Sequence, residues 1–240
     1  VHTEVIAFDR LSDLIKQDAS LTARIVSAAT TAYYGGQGKA LSFERILVML
    51  GLQTVKTIAI TASVHQFFSR FDGASARRQK IFWRDSLICA QLASSLAHLT
   101  GYANKDEAYL AGLIHNIGSL LFSTNYHDQY IELAEMDVSE AQLAALEIER
   151  FGGSRYQAGA WFISNWGSGS LVADAVLYQN EPLERMQGAH HLVKILAVAS
   201  RLSQYDADAE GLSAALQLFD LNESLVQDLL EKTRGEVLEV

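Results

Sequence analysis

Two adjacent histidines, His190 and His191, form the most conspicuous pair of metal-ligating side chains in the sequence. Imidazole nitrogens bind transition metals, and a shared ion requires both rings to converge on one point. The surrounding pattern predicts a helix, in which neighbouring residues point about 100° apart. No carboxylate follows three or four residues later. We therefore interpret both residues as surface or capping histidines.

Two glycine-rich stretches could hold a nucleophile or a phosphate. Gly167-Ser168-Gly169-Ser170 is similar in composition to a nucleophile elbow, but the preceding chain lacks the strand pattern that such an elbow requires. Gly35-Gly36-Gln37-Gly38 is not followed by Lys-Ser or Lys-Thr, which argues against a phosphate loop. We interpret the first stretch as a loop and the second as a turn that ends a helix.

Aromatic and basic residues could instead form a nucleic-acid surface. The aromatic residues Trp161, Phe162 and Trp166 are closely spaced, and we interpret them as core between helices rather than as a base-stacking platform. The basic cluster precedes a predicted helix, and we interpret it as a solvated face rather than a phosphate or RNA site. Its members are Arg70, Arg77, Arg78, Lys80 and Arg84.

Charge is distributed unevenly along the 240 residues. The net charge of −9 is the sum of +3 over residues 1 to 120 and −12 over residues 121 to 240. Because phosphate contacts supply most of the affinity for nucleic acids, this balance argues against general nucleic-acid binding. The contrast could polarise a surface that meets a partner protein.

Composition predicts a soluble, unsecreted protein. The hydrophobic fraction of 49% is ample for a packed core. The lone cysteine, Cys89, cannot form an internal disulfide, which favours a reducing cytoplasm. The longest apolar runs, such as Ile46 to Leu52, are shorter than the roughly 20 residues that span a bilayer, so no membrane partner is expected. The start at Val1 rather than methionine suggests a piece of a longer protein.

Helical periodicity dominates the chain, so the predicted fold class is all-α. Apolar residues between positions 87 and 99 share one face, and Thr100-Gly101 ends that helix. Asn104, with Glu107 three residues later, predicts the start of a helix from Ala108 to Phe122.

Other helix ends are also marked by capping residues. Ser139 with Gln142 repeats the capping signal, and Asn222 precedes a last helix expected to bury Leu225, Val226, Leu229 and Leu230. In the first part of the chain, a helix after Ser42 reaches Leu50-Gly51, and another resumes through Val55. The small, polar segment from Phe71 to Ala76 is the best candidate for a boundary between two helical lobes.

Five blocks, in order, resemble the HDOD family over roughly residues 8 to 205. The resemblance implies a two-lobed helical fold, with an N-terminal lobe at residues 1 to 72 and a degenerate HD-like bundle at residues 77 to 240. The blocks are Gln17–Arg24 with Ala28–Gly35; Ser42–Ile46 with Leu50-Gly51; Phe82–Ala90; Glu107–Gly118; and Glu147 with Phe151-Gly152, Gly159-Ala160 and Trp166.

The resemblance also implies a site, because HD-superfamily members hydrolyse phosphate esters with metals held by His and Asp. A metal that activates water needs several converging ligands and an open position. Residues at the matching positions fail this requirement, so we expect a vestigial pocket without metal, cofactor or catalytic residues. The pocket residues are Asp85 in place of His, His115 followed by Asn116 in place of Asp, Tyr156 in place of a later His, Tyr178-Gln179 in place of a His-containing pair, and Ser200 in place of Asp.

His115 is the one good ligand that remains, and we expect it to be at least half-buried and hydrogen-bonded to Asn116 or Asp85. The functional expectation is a non-catalytic bacterial signal-transduction module, the output or scaffold part of a response-regulator-type protein. Its partner would be a regulatory protein or an upstream sensory or receiver domain. Two alternatives stay open. One is a metal-dependent phosphohydrolase or cyclic-dinucleotide phosphodiesterase with an atypical site at Asp85, His115 and Asn116. The other is a nucleotide-sensing module that uses the pocket.

Overall fold

The computed structural model describes residue 12 and residues 15 to 32, 42 to 68, 74 to 165, 170 to 204 and 208 to 238. Throughout these residues the secondary structure is helical, with no strand, which confirms the all-α prediction. The chain divides into two compact units, Val1–Arg70 and Phe71–Val240. The proposed boundary from Phe71 to Ala76 lies partly outside the described residues, and its last three residues already belong to a helix.

Two helices, α1 (Ala19–Ala32) and α2 (Phe43–Phe68), dominate the first unit. Asp18 begins α1, because its carboxylate accepts a hydrogen bond of 3.0 Å from the Leu21 amide. The predicted break after Leu50 is confirmed, since Gly51 adopts a φ of 77° that only glycine adopts readily. The core of this unit contains Ile15, Ile25, Ile46, Leu47 and Val55.

Length and hydropathy determine which of the described helices could span a membrane. No single one is both long enough and apolar enough to cross a bilayer. The segments Phe43–Leu52 and Thr54–Ala62 reach the necessary length and composition only as a pair, and they are bent by 100° relative to each other.

Eleven helices lie in the described part of the second unit. The longest, α3, packs against α4 and α11, and α11 is buried along most of its length. The helices are α3 (Ala74–Leu99), α4 (Lys105–Ile114), α5 (Ile117–Asn125), α6 (His127–Ala134), α7 (Glu140–Phe151), α8 (Arg155–Asn165), α9 (Ser170–Tyr178), α10 (Leu183–Met186), α11 (His191–Ser203), α12 (Asp208–Phe219) and α13 (Glu223–Leu238).

Capping residues end and begin these helices largely as predicted. The Asn104 side chain accepts a hydrogen bond of 3.1 Å from the Glu107 amide. Ser139 and Gln142 form a complete capping box, and Asn222 accepts from the Ser224 amide. One expectation for the last helix is wrong, because Leu225 is 43% exposed while Val226 and Leu230 are buried.

The predicted single helix from Ala108 to Phe122 is wrong in one respect that matters for the site. The chain leaves helical geometry at Asn116, which has φ −106° and ψ 16°, so α4 and α5 are separate helices. The cause is local. The His115 side chain binds the Gly112 carbonyl at 2.7 Å, and the His115 amide makes only a long contact of 3.5 Å to the same oxygen. We call residues 115 and 116 the 115–116 turn.

Two glycines bring other helices close to either side of this turn. A Cβ atom at Gly112 would lie 2.6 Å from the Ala90 Cα and from the carbonyl oxygen of Cys89, which is fully buried in α3. A Cβ atom at Gly118 would overlap the backbone carbonyl of Arg155 at the start of α8. Since neither position leaves room for a side chain, both glycines are required for this packing.

Candidate functional site

The 115–116 turn and the start of α8 border a cavity of about 250 Å³ within the second unit. The cavity also receives side chains from α3, α7 and α11, so helices that are distant in the sequence converge on it. The polar residues that surround it include Asp85, His115, Asn116, Glu140, Arg155, Tyr156, Gln179, Asn180, Ser200, Arg201 and Glu210.

Six of the seven residues of the expected pocket border this cavity, and Tyr178 does not. The Tyr178 side chain is 46% exposed on α9. Its neighbour Gln179 is buried, and its amide nitrogen donates to the His115 carbonyl at 2.9 Å. Gln179 therefore holds the backbone of the 115–116 turn in place.

His115 is partly buried, and its hydrogen-bond partner differs from the one expected. Its Nδ1 lies 2.7 Å from the Gly112 carbonyl rather than near Asn116 or Asp85. A carbonyl only accepts, so Nδ1 carries the proton. Burial lowers the pKa of His115 to about 4. The imidazole is therefore neutral near pH 7, and its Nε2 is a hydrogen-bond acceptor.

The other two residues expected beside His115 have partners of their own. Asn116 accepts a hydrogen bond of 3.0 Å from the Ser86 hydroxyl. Asp85 forms an ion pair of 3.2 Å with Arg84. Burial nevertheless raises the pKa of the Asp85 carboxyl, against the opposing effect of Arg84. Apart from this ion pair, the polar groups described on this side of the cavity are uncharged.

The opposite side of the cavity is ionic. Arg155 is 8% exposed and donates to the buried Glu147 carboxylate at 2.7 Å, and it also forms an ion pair with Glu140. The Tyr156 hydroxyl donates to Glu140 at 2.6 Å. We call these four residues the Arg155 cluster. Burial alone lowers the pKa of Arg155, but Tyr156 and the two carboxylates outweigh it and raise the pKa above its ordinary value.

Arg155 is the important residue that the sequence analysis missed. From the sequence, Tyr156 is assigned to the later histidine position. In the HDOD motif that histidine is the third residue after Phe-Gly, and counting from Phe151-Gly152 gives Arg155. The spacing of the motif was therefore the signal that could have identified it. Tyr156 instead orients Glu140 beside the guanidinium.

The donor set does not fit the divalent metal that the HD superfamily implies. The carboxylates Glu140 and Glu147 are already bound by a guanidinium, and Asp85 is bound by Arg84. A cation therefore already stands among the acidic groups that a metal would need. Within the described residues, no group of three or more His, Cys, Asp or Glu side chains could hold a metal ion.

The two adjacent histidines have structural roles, as expected. His190 caps α11, since its Nδ1 accepts from the Leu192 amide at 3.2 Å. The His191 Nε2 lies 2.9 Å from the Thr100 hydroxyl, and its ring packs beside Tyr102. The two rings are therefore engaged by separate partners.

The structure describes only some residues of the aromatic and basic surfaces considered from the sequence. Trp161 is 69% exposed, so the expectation that it lies in the core is wrong. Its position on the outer face of α8 explains the difference. Lys80 is exposed, and Arg84 forms an ion pair with Asp85. Several predicted features lie outside the described residues or have undescribed side chains: Arg70, Arg77, Arg78, Trp166, Ser168, Ser170 and the Gly35–Gly38 turn.

Solved structures with this fold come from several bacteria. An HDOD domain protein of unknown function from Geobacter sulfurreducens is 21% identical, with a TM-score of 0.70 over 96% of this chain and 85% of that one. A candidate phosphohydrolase from Shewanella amazonensis SB2B is 21% identical, with a TM-score of 0.71 and the same two coverages. The MmoQ response regulator of Methylococcus capsulatus str. Bath is 21% identical, with a TM-score of 0.56 over 93% of this chain and 89% of that one.

Sequence comparison gives the family directly. An uncharacterized protein of Treponema pallidum (strain Nichols) is 25% identical over 131 residues, which are 53% of this chain. The matched region spans only 25% of that relative's length. The HDOD domain model matches residues 1 to 182, which is most of the chain. The chain therefore belongs to the HDOD domain family.

Proposed function

We propose that this HDOD chain is a non-catalytic cytoplasmic signal-transduction module that acts by binding a regulatory protein partner. The observation that carries the proposal is the Arg155 cluster. A guanidinium, which has no open coordination position and cannot activate water, occupies the position that corresponds to a histidine in the motif resemblance and is bound there by two carboxylates.

The Arg155 cluster also suggests how the bundle keeps its shape without a metal. Arg155 begins α8, whereas Glu140 is the first residue of α7 and Glu147 lies about two turns further along it. One guanidinium therefore connects two helices through two carboxylates, and Tyr156 supports one of them. This connection holds the two helices in register, as a metal does in a metalloprotein.

Similarity to the MmoQ response regulator supports the signalling part of the proposal. In this scheme a sensory or receiver domain supplies the input, and helical surfaces of the module present the output to a partner. Because the structurally similar protein from Shewanella amazonensis SB2B is described as a candidate phosphohydrolase, hydrolysis should be tested directly.

Metal content and hydrolysis provide the first test. Purified chain should contain less than a stoichiometric amount of metal, and it should not cleave phosphomonoesters or cyclic dinucleotides with Mn²⁺, Mg²⁺ or Fe²⁺. A matched variant, Asp85→His/Asn116→Asp/Arg155→His, restores the expected ligand types at three of the replaced positions and is the comparison for metal uptake. Stoichiometric metal in the unmodified chain, with metal-dependent cleavage that Asn116→Ala abolishes, would refute the proposal.

Partner binding provides the second test. The chain, cross-linked in cells at its native expression level, should enrich one sensory or regulatory protein over a charge-matched helical control protein. Binding should then be reproduced with the two purified proteins. Failure to reproduce any interaction would remove the scaffold function.

A further inference from the structure

The cavity has a hydrogen-bonding wall that protein–protein signalling does not require. Nδ1 of His115 makes the bond to Gly112, and among the described residues no hydrogen-bond partner lies at its Nε2. The ring borders the cavity beside Asn116, whose amide nitrogen also lacks a described partner. The wall thus presents an acceptor and a donor close together in the chain.

The cations around the cavity are already engaged. Arg155 binds the Glu140 and Glu147 carboxylates. Arg201 donates to the carbonyls of Gln179, Ala197 and Glu181 at 2.9, 2.8 and 3.2 Å. An incoming phosphate would need to displace these partners, and it would also meet the acidic groups Asp85, Glu140 and Glu210. The lining therefore disfavours an anion.

A cationic ligand is also poorly matched. Asp85 is paired with Arg84, and Glu140 is paired with Arg155. Glu210 is exposed at the rim, where solvent screens its charge. Burial raises the pKa of Tyr130 to about 12, so that phenol is uncharged as well. The chemistry of the walls therefore matches a neutral ligand.

Two amide side chains indicate which class of neutral ligand the cavity fits. Asn116 and the partly buried Asn180 both border the cavity. The Asn180 amide offers a donor and an acceptor side by side, and Asn116 adds the donor of its amide nitrogen, since its oxygen already accepts from Ser86. Such groups complement the edge of a nitrogen heterocycle such as a nucleobase. The volume of about 250 Å³ lies below the usual range for drug-sized ligands.

We propose that this cavity binds an uncharged nitrogen heterocycle of the size of a purine or pyrimidine base, and that it excludes the corresponding nucleotide. His115 accepts a hydrogen bond from the ligand, and the Asn116 and Asn180 amides recognise its edge. The inference goes beyond partner binding, and it rests on the proposed function only in requiring that no metal occupies the cavity.

Thermal shift and calorimetry on the full 240-residue chain test the inference. The probes are adenine, hypoxanthine, cytosine and uracil, each compared with its 5′-monophosphate nucleotide and with inorganic phosphate. At one hundred times its Kd, at least one base should raise Tm by roughly 5 to 10 °C, while its nucleotide gives no shift. A shift with the nucleotide equal to that with the base, or no shift with any of the four bases, overturns the inference.

Variants locate the bound base. His115→Phe keeps a ring but removes the acceptor, and it should weaken binding at least about tenfold. Because this change also removes the bond to Gly112, Asn180→Ala is the second variant, with the same expected direction. His98→Phe, on an exposed histidine outside the cavity, is the matched control and should bind normally. Unchanged binding in both His115→Phe and Asn180→Ala contradicts the inference.

The metal analysis separates the two proposals. Stoichiometric metal together with metal-dependent cleavage refutes the non-catalytic function whatever the bases do. Metal-free, inactive protein that binds none of the four bases refutes only the ligand site.

Discussion

The two sides of the cavity hold their polar groups in opposite ways. At the 115–116 turn, a neutral imidazole and an amide are tied to a backbone carbonyl and a serine hydroxyl. In the Arg155 cluster, a full positive charge lies between two carboxylates, one of which is completely buried. Yet both sides belong to one cavity and meet where Gly118 contacts Arg155.

The difference shows what a site can become when its metal ligands are replaced. Neutral hydrogen-bonding groups can lose one partner at a cost of about 1 to 3 kcal/mol. A buried ion cluster is stable only while its charges remain paired, since an unpaired buried charge costs several kcal/mol. The ionic side should therefore tolerate substitution far less than the neutral side.

The largest expected effect comes from removing the central charge. Arg155→Met should lower the free energy of unfolding by about 3 to 5 kcal/mol, because the buried Glu147 carboxylate would lose its cation and keep the hydrogen bond from the backbone amide of residue 155. Urea denaturation followed by circular dichroism measures this loss. Arg185→Met is the matched control, since Arg185 and Glu181 form an exposed ion pair and the change should cost about 0.5 kcal/mol or less. Equal losses in the two variants would show that the cluster does not stabilise the fold.

Acid should lower the free energy of unfolding through His115, which lies on the neutral side of the cavity at the 115–116 turn. The folded pKa of His115 is about 4, below the ordinary value of 6.5, so between these values the unfolded chain binds a proton that the folded chain does not. The resulting loss of stability begins as pH falls below 6.5, reaches about 3 kcal/mol near pH 4, and levels off about one pH unit lower.

Denaturation curves at half-unit steps from pH 7.5 to pH 3.5 measure this dependence. The variant His115→Gln should have a flatter curve across the window, whereas His98→Gln should follow the unmodified protein. A His115→Gln curve as steep as that of the unmodified protein would assign the acid sensitivity to other groups.

The contact between Gly118 and the Arg155 carbonyl should not accommodate even one added methyl group. Gly118→Ala places a Cβ on the Arg155 carbonyl, and overpacking of this kind typically costs about 1 to 3 kcal/mol. Gly235→Ala is the matched control, because Gly235 lies in α13 with open space around it. That change should stabilise the helix by about 0.5 to 1 kcal/mol. Melting temperatures that move in the same direction for both variants would contradict this assignment.

The smallest effect is expected at Asp85. Burial raises the pKa of this carboxyl, so its ionised form destabilises the fold near neutral pH. Asp85→Asn removes the charge and should raise Tm slightly at pH 7, with less difference at pH 4. A clear loss of stability at pH 7 would mean that the ion pair with Arg84 contributes more than burial removes.

The fold was largely readable from the sequence because its signals are local. Capping residues such as Asn104 and Ser139 act within three residues, and the apolar face of a helix repeats with a fixed period. The break at the 115–116 turn was missed for the opposite reason. It depends on close contacts of Gly112 and Gly118 with other helices, and the local spacing of apolar residues does not indicate such contacts.

The candidate site was predicted in part. Aligned motifs indicated which residues gather around the cavity, but they gave no information on hydrogen-bond partners. The Gly112 carbonyl as partner of His115 and the two carboxylates around Arg155 arise from tertiary packing. The exposure of Trp161 could not be predicted from the sequence either, because an aromatic residue on a short helix can face the core or the solvent.

The burial of Cys89 has a practical consequence. It is the single cysteine of the chain, and its thiol lies fully buried in α3, where burial raises its pKa. The thiolate is the reactive form, so a thiol reagent should label the native protein only when the second unit opens. Labelling kinetics can thus report the opening of this unit alone, without any engineered probe, while the first unit stays silent.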